Sequence, residues 1–303
     1  MTHRVVLVTG ASGFIGSRAL ESLQRAGFDV HSFGRTTPLH PTTQHHVGDI
    51  FERDQVRAAL RSIAPTHILH CAWDVTHGTF WHDPRNLDWV AVTLDFARAA
   101  LSCGVKRFVV IGTCAEYDWS DSGTVPCKEQ DDVAPGDLYG VAKDCTHRLL
   151  AAMFAPSECS FAWARMFHLF GSGEHPARFV PSLTISLKEG REAVCRYGQL
   201  VRDFIAVEDA AGALAAIVSS QVSGPVNVAS GKGLTLAELA AEIARRMDAT
   251  HLLRIETNPT KDPLSMIADV ARLRNEVRFV PQLQTQERLA RYVETIRAAV
   301  DHH

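Results

Sequence analysis

Apolar residues recur along the first half of the chain in two alternating rhythms. Short, β-branched runs at residues 4–8, 29–33, 44–50, 66–72, 106–112 and 159–166 read as buried strands. Between them, apolar positions fall three and four apart. In residues 14–27, Ile15, Ala19, Leu20, Leu23 and Ala26 share one helical face, and Gly27 supplies the stop. Further helices are predicted over 52–63, 84–104 and 137–154. Strand and helix alternating at this spacing predict the α/β class with a parallel, doubly wound sheet.

The rhythm loosens after residue 170. A loop at 171–176 precedes a helix at 178–190, a strand leading into a helix at 201–220, an apolar segment at 225–230 and a helix at 234–247. The expected division is residues 1–170 as the doubly wound domain and 171–303 as a smaller lobe. That lobe should lie over the carboxyl edge of the sheet, with some segments returning to it.

Composition narrows the function. The chain has 303 residues, 46% hydrophobic and 21% charged, with a net charge of −3 and no basic run, which argues against nucleic acid as a partner. No stretch reaches the roughly 18 apolar residues of a membrane span. The apolar run near the N-terminus is too short for a signal segment. A cytoplasmic protein is expected. Seven cysteines occur without a CxxC pair and fifteen histidines without HExxH, so neither a disulfide framework nor a metal site is predicted. His45–His46 reads as a solvated loop pair, and His302–His303 as a tag remnant.

Thr9 to Gly16, TGASGFIG, stands between the first strand and first helix. Gly10 permits the tight turn, Gly13 lets the backbone approach a pyrophosphate, and Gly16 allows close helix–strand packing. The free N–H groups of Ser12, Phe14 and Ile15 at the helix start suit phosphate. The second strand ends His31–Ser32–Phe33–Gly34–Arg35. An acid there would bond a ribose 2′-hydroxyl, and none is present. Arg35 beside the gap favours a 2′-phosphate, and thus NADP over NAD, with Ser12 and Arg18 as helpers. Tyr139 and Lys143 are four apart on one helix, so phenol and ammonium point the same way. The cation should lower the phenol's pKa toward the range useful for acid–base catalysis.

TGASGFIG resembles the extended short-chain dehydrogenase/reductases, the NAD-dependent epimerase/dehydratase family and its nucleotide-sugar-modifying branch. The resemblance covers nearly the whole chain and implies a Rossmann sheet. It also implies that Asp49 and Ile50 of GDI lie against adenine, and that Cys71 and Ala72 of HCA pass the cofactor. By the same resemblance Tyr139 and Lys143 are the catalytic pair, Lys143 also holding the nicotinamide ribose. In GTCAEYD the Tyr117 anchor gives Thr113 the family's hydroxyl place, with roles in catalysis and substrate binding. Dehydratases of the family resemble Thr-Asp-Glu here. This chain has Cys114 and Ala115, and Glu116 falls one place late, pointing to the other side.

Arg202–Asp203–Phe204 resembles an element whose arginine binds a nucleotide-sugar diphosphate, while Asp209 is expected to cap the following helix. Arg178 and Lys261 are weaker diphosphate candidates. His168 replaces the usual Asn of RxxNxYG and is read as lining the substrate site. Residues 89–93, WVAVT, replace the frequent NxxGT. The loop at 73–81 is unusually aromatic, either a stacking wall for a base or sugar or a core or dimer surface. The set moves one hydride and one proton. The expected function is NADP-dependent reduction of a keto group of a nucleotide-activated sugar, at carbon 4. The alternatives are a nucleotide-sugar epimerase that keeps its cofactor, a reductase of a non-sugar ketone, and a non-enzymatic dinucleotide sensor. Family analogy adds a homodimer packed through helices 84–104 and 137–154.

Overall fold

The computed structural model describes residues 4–38, 40, 43–120 and 125–298; the pair His302–His303 lies outside them. The first half runs β1 (Val5–Thr9), α1 (Phe14–Arg25), β2 (Asp29–Gly34), β3 (Gln44–Val47), α2 (Arg53–Ile63), β4 (His67–His70), α3 (Arg85–Ser102), β5 (Arg107–Thr113), α4 (Leu138–Phe154) and β6 (Ser160–Met166). The second half runs β7 (His168–Phe170), α5 (Phe179–Lys188), β8 (Ala193–Cys195), β9 (Val201–Ala206), α6 (Val207–Ser219), β10 (Gly224–Val228), β11 (Gly233–Thr235) and α7 (Leu236–Arg246). It closes with β12 (Leu253–Ile255), β13 (Ser265–Met266), α8 (Ala271–Asn275) and α9 (Thr285–Ala298).

Seven strands form one sheet in the order β10-β6-β5-β4-β1-β2-β3, every neighbouring pair parallel. This is the doubly wound Rossmann architecture predicted from the alternation. Period 2 along β1 sorts its side chains between two cores. Val6 and Val8 pack with Leu20 and Leu23 of α1 and Leu214 of α6. Val5 and Leu7 pack on the other face with Leu60, Phe96 and Leu150 of α2, α3 and α4. Covered on both faces, β1 and β5 are buried along their whole length, which explains their continuous apolar runs. Chain order reverses between β1 and β4, so their carboxyl ends, paired at Thr9 and His70, open a crevice at the switch point.

β9 anchors a second sheet between β11 and β13 and also pairs with β7. Around it α5, α7 and α9 share a third apolar core containing Leu183, Ile243 and Leu289. The tail's α9 escaped the pattern reading because only Leu289, Tyr292 and Val293 of its polar surface are buried. Two further readings change. His45 and His46 lie on β3, not in a loop: His46 shares a 2.9 Å hydrogen bond with His31, and His45 one of the same length with Ser32. Asp209 does not cap α6, which starts at Val207. It sits in the first turn and accepts from Arg288 at 2.8 Å. No described helix is long and apolar enough to cross a membrane.

Candidate functional site

The turn after β1 is built to let backbone segments touch. Gly10 adopts φ +69°, and a Cβ there would stand 2.7 Å from the Ala72 amide nitrogen. A Cβ on Gly16 would collide with the Gly10 carbonyl. The Gly13 N–H donates to the Gly10 carbonyl at 3.0 Å, and no side chain caps α1 at Gly13. The uncapped N–H groups of the first turn and the favourable dipole therefore fit an anionic pyrophosphate. Ser12 and Gly13 are exposed, Phe14 and Ile15 half-buried, and Cys71 and Ala72 close the far side of the turn.

At the end of β2, Arg35 is 76% exposed and reaches Asp49 at 3.9 Å. Asp49 also accepts from the Phe51 amide at 3.0 Å, with half-buried Ile50 beside it. No carboxylate occupies the strand end itself. Arg18 does not join this group: its guanidinium donates to Ser17 at 3.0 Å and to the Ser172 carbonyl at 2.6 Å.

Thr113 ends β5 and caps a short 3-10 turn, Cys114–Glu116, in a reciprocal capping box. Its hydroxyl accepts from the Ala115 amide at 3.2 Å, and its own amide donates to Glu116 at 2.8 Å. Glu116 is completely buried. It accepts from Trp163 Nε1 at 2.9 Å and from Arg165 Nε at 2.8 Å. Burial pushes this carboxyl up, and Arg165 pulls it back. Gly112 is required beneath it, because a Cβ there would strike the Trp163 indole. Sequence reading did not foresee this network, although Thr-x-x-Glu after a strand is itself a capping-box signature. Cys114 is a buried thiol pushed up to about 12 by burial, so it stays protonated and unreactive.

Asp137 caps α4 by accepting from the Gly140 amide at 2.8 Å. Tyr139 and Lys143 follow on one face, both buried. The phenol is not lowered as the sequence suggested. Burial raises it, with the Thr113 hydroxyl and Arg178 pulling the other way. Lys143 Nζ lies 5.9 Å from the Tyr139 ring centre and donates to the Ile111 carbonyl at 2.9 Å. Burial lowers the lysine to about 7. The aromatic loop encloses both groups. Phe80 meets the Tyr139 ring at 4.9 Å, Trp81 at 5.8 Å and Trp73 at 6.4 Å, and the Tyr139 amide donates to the Trp81 carbonyl at 3.1 Å. His70, between Thr9 at 2.7 Å and Thr93 at 3.1 Å, is held neutral by burial, at about 3.

The second sheet supplies the opposite wall. Arg202 on β9 is 7% exposed. It donates to the Val201 and Pro263 carbonyls at 2.8 and 2.9 Å, and no described carboxylate pairs with it. Its charge reaches Cys114. His168, on β7, lies within reach of both Arg202 and Arg178, and burial lowers it to about 3. Its Nε2 is buried without a hydrogen-bond partner. Arg178 precedes α5 and lies 5.8 Å from the Phe80 ring centre; its charge is felt by Tyr139 as well as by His168. It therefore stands toward the Tyr139 end of the crevice. Lys261 is exposed. A separate groove of about 810 Å³ between α2 and α3 involves none of these groups except Ile50.

A family model described as the NAD dependent epimerase/dehydratase family matches residues 6–229. The chain is 27% identical over 274 residues to a dTDP-6-deoxy-L-talose 4-dehydrogenase (NAD(+)) of Aggregatibacter actinomycetemcomitans, covering 83% of this chain and 92% of that protein. It is 25% identical over 309 residues to a dTDP-4-dehydro-6-deoxy-D-allose reductase of a Streptomyces species, covering 92% of each. In fold it is similar to a UDP-glucose 4-epimerase from Thermotoga maritima, solved with UDP-glucose: TM-score 0.87, 20% identity, covering 97% of this chain and 98% of that one.

Proposed function

The chain belongs to the NAD dependent epimerase/dehydratase family, and from that premise we propose that it reduces a keto group, at carbon 4, of a nucleotide-activated sugar with NADP as cofactor. It is an enzyme of the NAD(P)-dependent short-chain dehydrogenase/reductase type. The observation that carries the choice of reaction is the fate of Glu116. The carboxylate nearest the catalytic hydroxyl is spent inside the core on Arg165 and Trp163, and the neighbouring thiol is buried and protonated. That arrangement leaves a hydride-and-proton site rather than an acid–base pair for removing water.

In this reading Gly10, Ser12, Gly13, Phe14, Ile15 and Gly16 hold the pyrophosphate, with Cys71 and Ala72 closing the turn. Asp49 and Ile50 flank the adenine, and Arg35 meets the 2′-phosphate. When bound, the dinucleotide supplies the hydride. Tyr139 donates its proton to the carbonyl oxygen; burial, which raises the phenol, keeps that proton available at neutral pH. Thr113 donates a second hydrogen bond to the same oxygen. Lys143 orients the nicotinamide ribose and supports the phenolate left behind. Arg202 holds the diphosphate through its guanidinium fork, with Arg178 and His168 lining the sugar side. Residues 171–303 form most of this substrate side, while β10 completes the main sheet.

We further assign a homodimer built on α3 and α4, where Leu87, Val141 and Leu149 are exposed apolar residues, and a cytoplasmic location. The similarity in fold to a UDP-glucose 4-epimerase favours a second reading, an epimerase that retains its cofactor. One experiment separates them. NADPH is mixed with the protein and CDP-, dTDP- or GDP-4-keto-6-deoxyhexose while NADPH absorbance is followed. Consumption is expected for the reductase. Purified protein carrying tightly bound cofactor, with no net consumption, means the epimerase.

A further inference from the structure

The aromatic loop contains one residue whose ring is held by two neighbours and whose face is given to Lys143. The Trp73 ring centre lies 3.9 Å from Lys143 Nζ. Its Nε1 donates to Asn86 Oδ1 at 2.8 Å. Trp89 stacks on it at 6.1 Å between ring centres, 26° from parallel, and Trp89 in turn meets Phe51 at 4.9 Å. Asn86 is itself immobilised, buried at the start of α3 and donating to the Phe80 and Asp83 carbonyls at 2.7 and 2.9 Å. A tryptophan with a free ring would share a surface with its neighbours. This one is oriented by a buried amide so that its face meets a cation.

Lys143 needs such a partner. A buried ammonium carries three N–H donors, and the Ile111 carbonyl takes one of them. Burial opposes its charge, with Glu116 and Cys71 acting in favour. Glu116, however, is already committed to Arg165, and the Cys71 thiol is pushed up to about 12 by burial and so stays neutral. His70, on β4, is neutral too. Tyr139 and Trp163 present their rings at 5.9 Å, farther than Trp73. The face of Trp73 is therefore the nearest uncommitted source of negative potential for the ammonium.

We propose that Trp73 is a positioning residue: clamped by Asn86 and Trp89, it holds Lys143 Nζ, in its charged form, at the Ile111 carbonyl, where it serves Tyr139. The inference rests on the reading of Lys143 as the partner of Tyr139 in proton transfer. Its physical consequence is a coupling between an indole and the protonation of a lysine. Loss of the ring face disfavours the ammonium, so activity that requires it must fall at a lower pH as pH rises.

The test compares Trp73→Leu, which keeps the site apolar, with Trp73→Phe, which keeps a ring face, and with Asn86→Leu, which frees the indole. The alkaline fall of kcat/KM is expected to move down by roughly one pH unit in Trp73→Leu. It should stay near its original position in Trp73→Phe and move partway in Asn86→Leu. A direct readout uses isotope-labelled lysine in the full chain without substrate. The Lys143 resonance, identified by its loss in Lys143→Met, is titrated by NMR and should show the same ordering of midpoints. An unchanged or raised midpoint in folded Trp73→Leu would mean that the ring acts only by excluding water, and would overturn the proposal. If no nucleotide sugar is reduced by the unaltered protein, the reaction assigned above fails, and the lysine titration still decides the role of Trp73.

Discussion

Arg165 on β6 of the main sheet and Arg202 on β9 of the second sheet are two buried guanidiniums treated in opposite ways. Arg165 is 2% exposed and Arg202 7%. Arg165 donates to Glu116 at 2.8 Å and lies 4.4 Å over the Tyr117 ring. With a carboxylate beside it, its pKa rises even though burial opposes this. Arg202 hydrogen-bonds only backbone carbonyls among the described residues, and burial lowers it, with Asp262 acting the other way without a hydrogen bond. A buried charge without an opposite charge is costly. One arginine thus has a hydrogen-bonded carboxylate and the other only backbone carbonyls and the unbonded Asp262, which leaves the second suited to the diphosphate role proposed above.

The strongest break of this contrast is Glu116→Gln. It leaves Arg165 buried and unneutralised, and should cost about 3–5 kcal/mol of stability, read as a lower urea midpoint with unchanged m. Thr113→Val removes the other half of the same capping box. It should lower kcat roughly 100–1,000-fold while the urea midpoint changes far less. Two residues three apart thus separate stability from catalysis. If Glu116→Gln folds as well as the unaltered chain and loses more activity than Thr113→Val, Glu116 belongs to the chemistry and the segment has been misread.

This division was only partly legible in the sequence. The sheet could be read because β1 and β5 bury both faces and so appear as unbroken apolar runs. The Gly10 turn was legible because its demand, a positive φ and no Cβ against Ala72, is met locally by one residue type. The Glu116–Arg165–Trp163 network was not. Its members come from the turn after β5 and from β6, and nothing local says that residues nearly fifty apart will meet. The raised phenol of Tyr139 was missed for a similar reason. Spacing on one helix placed Lys143 on the right face, but the burial that raises the phenol comes from other elements, Phe80 and Trp81 of the aromatic loop among them.

On the unpaired side the expected effects are smaller and fall on binding. Arg202→Gln removes charge-assisted hydrogen bonds to a diphosphate, each worth about 1.5–3 kcal/mol. KM for the nucleotide sugar should rise roughly 10–100-fold with kcat little changed. The urea midpoint should hold or rise, because a poorly neutralised buried charge has been removed. A loss of stability as large as that of Glu116→Gln would erase the distinction between the two arginines.

Arg35 tests the same idea at the exposed limit. Its guanidinium is 76% exposed, and Asp49, at 3.9 Å, is too distant for a good hydrogen bond. Exposed pairs contribute about 0–1 kcal/mol, so Asp49 neutralises Arg35 only weakly and leaves it open to a 2′-phosphate. Arg35→Gln should therefore weaken NADPH binding by roughly threefold to tenfold and leave NADH binding unchanged, as measured by fluorescence titration of each cofactor. The difference should shrink in 1 M salt, where the screening length is about 3 Å; a buried contact would persist there. If the unaltered protein binds NADH at least as tightly as NADPH, Arg35 is an ordinary solvated turn residue. Unneutralised charge then marks a ligand only where burial makes it expensive, as at Arg202.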